Sequence, residues 1–532
     1  MSTQYSSLKR IARNIIIVFI LLIVLLHPSG AARAASFTAG TFSELETAIN
    51  TANGNSEADT ITLTADITLT GALPQITSSY TLTIEGAGHT LDGAGAYRVL
   101  YVNLGNLIIN NLTITNGNVS GAYGGGFYNN SSIVTINNCT ISNNSATGDG
   151  GGLYNFGNTT INNSTFSGNS SRAWGGGVRN DAGTLTINNS SISGNSAGAM
   201  GGGGGIANTA TLTLNRNIIS GNSVTGPRVV GVEIVNYGSI TSNYNVLGYS
   251  GLTNAQAYEY FTPNSITDYN ATSDGGNGII LLTSILTTTL ANNGGPTYTH
   301  ALVSGSPAID RAPSDECTAS PISGIDQRGA ARNYNGSGST GDYECDSGAY
   351  EYRNPTENCT LSIGPPIIIE NVTFNFTGTS LGTLSCVTVD EMGADHIMAT
   401  GQGPSGVTLH TGNWWYILGN GTGFTVSITL PYATPDGYTR VCKWPGNLGG
   451  AGWDCDNGTY TTPGTTSVTR TNIQSFSDWA VGQGVGPTAI TLYNFNARSG
   501  NPWVGAGLAI SVLAAGFLII LLLVRIRKQA HG

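Results

Sequence analysis

The chain has 532 residues, only 9% of them charged, with 20 Lys and Arg against 30 Asp and Glu. A net charge of −10 argues against nucleic acid and other polyanions as partners. So little charge among so many Gly, Asn, Ser and Thr suggests disorder in an unpatterned chain, but the regular pattern described below reads as order.

The N-terminus carries Lys9, Arg10 and Arg13, an apolar run from Ile15 to Leu26, and then HPSGAARA. This is the order of a secretory signal, residues 1–34, with Ala32 and Ala34 as the small residues before the cut. Residues 35–58 form a capping region. TFSELETAINTAN (41–53) has apolar Leu45, Ala48 and Ile49 at helical spacing, and Ser43-x-x-Glu46 reads as a capping box.

From 59 to 279 the chain repeats itself about every 25 residues. One element reads LIINNLTI (from Leu107), VTINNCTI (from Val134), TTINNSTF (from Thr159), LTINNSSI (from Leu185) and LTLNRNII (212–219). A second reads GGGFYN (124–129), GGGLYN (150–155), GGGVRN (175–180), GGGIAN (203–208) and GVEIVN (231–236). Period-two alternation in short β-branched runs predicts strands, and Gly and Asn between them allow the positive φ of sharp corners. Such a unit buries its apolar side only by stacking on copies of itself, about 4.8 Å apart. Stacking aligns Ile109, Ile136, Ile161, Ile187 and Leu214 as a core column, and Asn110, Asn137, Asn162, Asn188 and Asn215 as an asparagine ladder. Cys139 shares a column with Leu112, Ser164, Ser190 and Asn217, which predicts a buried, unreactive thiol. The Asn-x-Ser/Thr triplets at Asn111, Asn138, Asn163 and Asn189 are by-products of the repeat.

LTIEGAGHTLDG (82–93), followed by GGG-aliphatic-x-Asn and Ser-x-Asn-Ser repeats, resembles the right-handed parallel β-helices of the pectate-lyase-like superfamily. The glycine motif also resembles half of the polymorphic outer-membrane-protein repeat. NNGGPTYTHALVSGSPAID (292–310), DQRG (326–329) and CDSGAYEY (345–352) resemble the choice-of-anchor Q domain, here residues 280–352. That resemblance implies a bacterial surface protein and attaches no activity.

Beyond Cys359 longer alternating runs (VTFNFTG, CVTVDEM, NWWYILG, TGFTVSITLPY) predict a β-sandwich over 353–484. FSDWAVG (476–482) and GPTAITLYNFNAR (486–498) resemble the modules and stalks that precede bacterial surface anchors; the stalk is 485–503. Residues 504–524 lack charge and suffice to span a bilayer, and Arg525, Arg527 and Lys528 in the tail 525–532 place that end in the cytoplasm. The chain therefore reads as a single-pass protein of the cell membrane with an exported N-terminal part. Six of the seven cysteines fall after the repeats, as Cys317/Cys345, Cys359/Cys386 and Cys442/Cys455; pairing of neighbours is the simplest connectivity in an oxidising compartment.

Cleavage of polysaccharide in a β-helix groove needs converging carboxylates, or a basic residue with calcium held by several acids. In residues 104–250 the acids are Asp149, Asp181 and Glu233, in different columns, and Arg172, Arg179, Arg216 and Arg228 form no column. Asp92 reads as a turn residue. No histidine, cysteine or serine pattern points to a metal or a nucleophile, so no cofactor is expected. Calcium is the exception to weigh: DCDNG (454–458) opens like a calcium loop, and Asp342, Glu344, Asp346 and Glu351 crowd around Cys345, read as a solvated acidic loop. Trp414, Trp415 and Tyr416 on one strand point to alternate faces. They read either as core with an edge aromatic or as a patch stacking on a sugar ring.

The resulting expectation is all-β: a right-handed parallel β-helix, then a β-sandwich, displayed on a membrane for adhesion or glycan contact without catalysis. The alternatives are a polysaccharide lyase or glycoside hydrolase, for which loops at 251–275 with Glu259 and Asp268 would supply a groove, and a structural spacer of a surface layer.

Overall fold

The computed structural model describes residues 35–484 except 199–200, 227–228, 318–323, 333–343, 354–355, 393–406, 410–413, 420–421, 432–439, 445–453, 456–466 and 476–477. The chain divides into units 1–484 and 485–532, and all described residues belong to the first. The expected signal (1–34), stalk, membrane span and tail (485–532) lie outside them, as do Asp342 and Arg228.

Thirteen strands from Ser36–Ala39 to Tyr258–Glu259 form one parallel sheet, nine short strands from Ile67–Thr68 to Tyr269–Asn270 a second, and five from Asn118–Val119 to Ser223–Val224 a third. The chain visits the three in turn and returns one rung higher, making a parallel β-helix. The register sets like on like. Ile136 pairs with Ile109 and Ile161, and Ile187 with Ile161 and Leu214, all without solvent contact.

Alignment of identical polar residues closes hydrogen bonds from rung to rung. Asn137 Nδ2 donates to Asn110 Oδ1 and Asn162 Nδ2 to Asn137 Oδ1, each at 2.9 Å. Asn188 donates to Asn162 at 2.9 Å and Asn215 to Asn188 at 3.0 Å. The second asparagine of each pair shapes the corner instead. Asn111, Asn138, Asn163 and Asn189 hold φ between 46° and 53°, a left-handed conformation that asparagine tolerates. That is why the repeat spells Asn-Asn.

Two further ladders are buried. In one, Asn129, Asn155, Asn180, Asn208 and Asn236 bond in sequence at 2.6–2.9 Å. In the other, Asn144, Asn169, Asn195 and Asn222 each donate at 2.9 or 2.6 Å, the last to the Glu233 carboxylate. The GGG runs cross this second ladder: a Cβ on Gly125 or Gly126 would lie 2.2 Å from the Ser145 carbonyl or 2.8 Å from Asn144. Cys139, fully buried, donates to the Asn137 carbonyl at 3.1 Å, and burial pushes its thiol up to about 12.

The helix Phe42–Gly54 covers the first rung with Leu45, Ala48, Ile49 and Ala52. Its cap lies two residues before the expected Ser43/Glu46 pair. Thr41 is extended and accepts from the Glu44 N–H, while the Glu44 carboxylate accepts from the Gly40 N–H at 2.8 Å.

The described residues of 293–352 include a strap along the outer face of the second sheet, which covers its Thr and Ser side chains. Gln327 bonds Thr140, Thr165 and Thr297; His300 bonds Ser167; the Ala349 N–H bonds Ser191. Arg328 and Arg332, buried, hold this strap together. Arg328 donates to Asp326 at 2.8 Å and to the Glu351 carbonyl at 2.7 Å, over the Tyr350 ring at 3.7 Å. Arg332 donates to the Asp346 and Gly348 carbonyls and to Glu351. Asp346 and Glu351 are therefore buried and not part of a solvated loop: the Asp346 carboxylate accepts from the Asp310 and Tyr352 N–H groups, and Glu351 accepts from Arg332 and the Asp346 N–H. Burial pushes Asp346 up to about 7 and Glu351 well above the carboxylate range.

Beyond the strap, a six-stranded and a four-stranded antiparallel sheet share one core, including Phe374, Phe376 and Ile428 from one and Val389, Trp415 and Trp479 from the other. Disulfides join Cys317–Cys345, Cys359–Cys386 and Cys442–Cys455. Asp454 is engaged by Arg470 at 2.8 Å.

Two outcomes are expected. Arg328→Met strands the buried Asp326 carboxylate and costs about 3–5 kcal/mol of stability, measured by denaturant unfolding. Glu233 titrates at about 8 in the fold against an ordinary 4.5. The folded chain then keeps a proton that the unfolded chain has lost, so stability is full below the ordinary value and falls as pH rises through about 8. Glu233→Gln is expected to flatten part of the decline in Tm between mildly acidic and mildly alkaline pH, leaving the part due to Asp346 and Glu351.

Candidate functional site

Strand alternation decides what the first sheet shows to solvent. In the glycine-led strands Leu100, Phe127, Leu153 and Val178 point into the core, so their neighbours Tyr101, Tyr128, Tyr154 and Arg179 point out. The same outward column continues through Ala207, Val235 and Glu259. Tyr123 and Trp174 join this face from the turns that precede GGG.

The rings touch from rung to rung. Tyr101 stacks on Tyr128 at 4.9 Å and Tyr123 on Tyr154 at 4.7 Å, and Tyr128 meets Tyr154 edge-on at 5.1 Å. Higher up, Trp174 meets Tyr237 at 5.8 Å, and Tyr237 meets Tyr260 at 5.0 Å. Tyr123, Tyr237 and Tyr260 are 44%, 48% and 70% exposed, far more than large aromatics that serve only packing. Arg98 lies over Tyr101 and Tyr128 at 5.3 Å from each ring centre, and burial pushes its guanidinium value down.

Midway along this row the carboxylates read as separate in the sequence come together. Arg179 pairs with Asp181 and lies 3.9 Å from Asp149, and Tyr154 Oη donates to Asp181 at 2.8 Å. The cause is a bulge: Asn155 pairs with Asn180 but Phe156 with Ala182, so Asp181 is an extra residue, turned toward Tyr154. Burial raises Asp149 above its ordinary value, against the Trp174 N–H and Arg179. Burial also opposes ionisation of Asp181, but the bonds from Tyr154 and Arg179 outweigh it and hold that carboxyl below its ordinary range. Glu233, the third acid, is enclosed in the core, away from this face.

Of the two readings of Trp414, Trp415 and Tyr416, the two tryptophans follow the core one. Trp414 is 0% and Trp415 2% exposed. Trp414 packs with Ala87, Ala330 and Met392, Trp415 lies in the two-sheet core, and Tyr416 Oη donates to the Asn292 carbonyl at 3.0 Å. No sugar ring reaches a tryptophan in these positions. The asparagine column 110–215 is engaged in its own ladder. Of the acids at 251–275, Asp268 lines a cavity of about 580 Å³ with Asn254, Tyr269 and Arg311. Its oxygens accept from Ser242, Asn245 and Asn264 and are thereby committed. Among the described residues, no group of three His, Cys, Asp or Glu could hold a metal ion.

The sequence reading missed the aromatic row. The signal was present in the fifth position of GGGFYN and GGGLYN, one residue from the core position, and in the Tyr and Trp before GGG.

Residues 38–148 match a family model described as a pectate lyase-like adhesive domain. The match takes in Tyr101, Tyr123 and Tyr128 and stops one residue before Asp149. Neither the curated proteins nor the solved structures contain a match to the chain.

Arg179→Gln removes the cation between the two carboxylates. Both Asp149 and Asp181 are then expected to titrate at higher pH than in the unaltered chain, read from carboxyl carbon shifts in an NMR titration; unchanged midpoints would show that Arg179 does not set them.

Proposed function

We propose that the chain is a bacterial cell-surface adhesion protein that holds glycan chains on the aromatic face of its β-helix without cutting them. The observation that carries this reading is two groups of touching rings on one face, Tyr101, Tyr123, Tyr128 and Tyr154 in the first and Trp174, Tyr237 and Tyr260 in the second, with Tyr123, Tyr237 and Tyr260 well exposed. Aromatic faces stack on the C–H faces of sugars, each contact is weak, and a row of them adds up along a polymer. The adhesive-domain match over 38–148 agrees with it. A cleaved signal, a right-handed turn, a choice-of-anchor Q role for 280–352 and a single membrane helix complete the proposal, with the aromatic face held outside the cell.

One observation favours a second reading, glycoside hydrolysis: two carboxylates close together, one raised and one lowered, as an acid and a base require. Against it, Arg179 and Tyr154 occupy Asp181, leaving the pair tied to the fold.

The test is a glycan-array screen of the full-length chain with calcium and with chelator, each hit then assayed for new reducing ends and for unsaturated products. Binding without products, weakened several-fold by Tyr123→Ala or Tyr237→Ala, is the expected result. Cleavage abolished by Asp149→Asn would replace adhesion with hydrolysis.

A further inference from the structure

Resting on the glycan-binding reading above, we infer that the aromatic row selects neutral polysaccharides with flat, equatorially linked pyranose backbones, laid parallel to the helix axis, and rejects polyuronates. Three sets of observations support this.

The first is geometric. Rungs stack at about 4.8 Å, close to the length of one pyranose unit in an extended chain, so a polymer along the axis meets a new rung with each sugar. Tyr101, Tyr128 and Tyr154 occupy three successive rungs in register, and Tyr237 and Tyr260 lie further along. A chain laid across the axis would meet the rings of a single rung, so most of the rings would be unused.

The second concerns charge. A polyuronate brings a carboxylate with every unit and needs free cations along its path. Arg98 keeps its charge but turns its donors to the protein: its Nε donates to the Gly124 carbonyl at 2.9 Å and its Nη2 to the Tyr123 carbonyl at 2.7 Å. Arg179 is committed to Asp149 and Asp181 and bonds Thr209 at 3.3 Å. The outward column itself, Tyr101, Tyr128, Tyr154, Arg179, Ala207, Val235 and Glu259, holds one cation over seven rungs, and that cation is paired with Asp181, so no ladder of cations matches a carboxylate on every unit. The chain's overall −10 repels polyanions at longer range.

The third concerns hydroxyl groups. Neutral sugars offer hydroxyl donors and acceptors, and beside the row stand the paired amides of Asn103 and Asn130, bonded at 2.8 Å one column from the tyrosines. Phe156, in that same column, adds another partly exposed ring.

The experiment is calorimetric titration of the full-length chain with β-1,4-linked gluco- and xylo-oligosaccharides from disaccharide to octasaccharide, and with galacturonan oligomers of the same lengths. Affinity for the neutral series is expected to rise with each added unit and to exceed that for galacturonan at least tenfold. Tyr123→Ala, Tyr237→Ala and Trp174→Ala should each weaken neutral binding several-fold with the circular dichroism unchanged. Asp149→Asn with Asp181→Asn should narrow the gap by admitting galacturonan. Equal or tighter galacturonan binding, or affinity that stops growing after a disaccharide, overturns the inference while leaving glycan binding intact. No binding of either series overturns both.

Discussion

Everything in this molecule follows from the requirement that each rung satisfy its neighbour. A rung of two or three short strands cannot close its own backbone hydrogen bonds or cover its own apolar side, so the residue below must suit the residue above. Isoleucine on isoleucine meets that condition by contact, and asparagine on asparagine meets it with an amide that both donates and accepts. The buried ladders through Asn129 and Asn144 carry this condition into the core, where an unpartnered amide is costly. Glu233 shows what happens when the pattern stops. The ladder through Asn222 ends on a carboxyl group that accepts from Asn222 and the Gly221 N–H, and burial makes it a weak acid.

The same condition makes the outer face uniform. With the inward positions committed to packing, the positions between them line up in columns of their own, and any aromatic placed there becomes part of a row. The rings at Tyr101, Tyr128 and Tyr154 are adjacent because Leu100, Phe127 and Leu153 are. A departure from the rule creates the most distinctive spot on the row. One extra residue, Asp181, breaks the pairing, and its carboxylate meets Tyr154 and Arg179 at the surface.

How much of this was legible in the sequence depended on whether a feature repeats. The strand register was readable because Ile-Asn-Asn recurs with period-two alternation, and the columns at Ile136 and Asn137 pair as their alignment implies. The proximity of Asp149 to Asp181 was not, because a bulge shifts one against the other and a linear alignment places them in different columns. The helix cap at Thr41 was misplaced by two residues because both Thr41-x-x-Glu44 and Ser43-x-x-Glu46 fit the pattern, and the bonds from the Glu44 N–H to Thr41 and from the Gly40 N–H to Glu44 select the former. Alternation left Trp414 and Trp415 open between core and surface for a different reason. Their partners, Ala330 and Met392 among them, are remote in sequence and carry no period.

The strap over 293–352 has a consequence for the size of the molecule. It touches the helix at Thr140, Thr165, Ser191 and Arg216, which lie on successive turns. A solenoid with a bare flank can gain or lose a repeat by simple duplication, since every interface is the same. Here an inserted turn would throw the later anchor points out of step with the earlier ones. The strap thus acts as a ruler for the turns it crosses, from Thr140 to Arg216, and for the length of the face outside them.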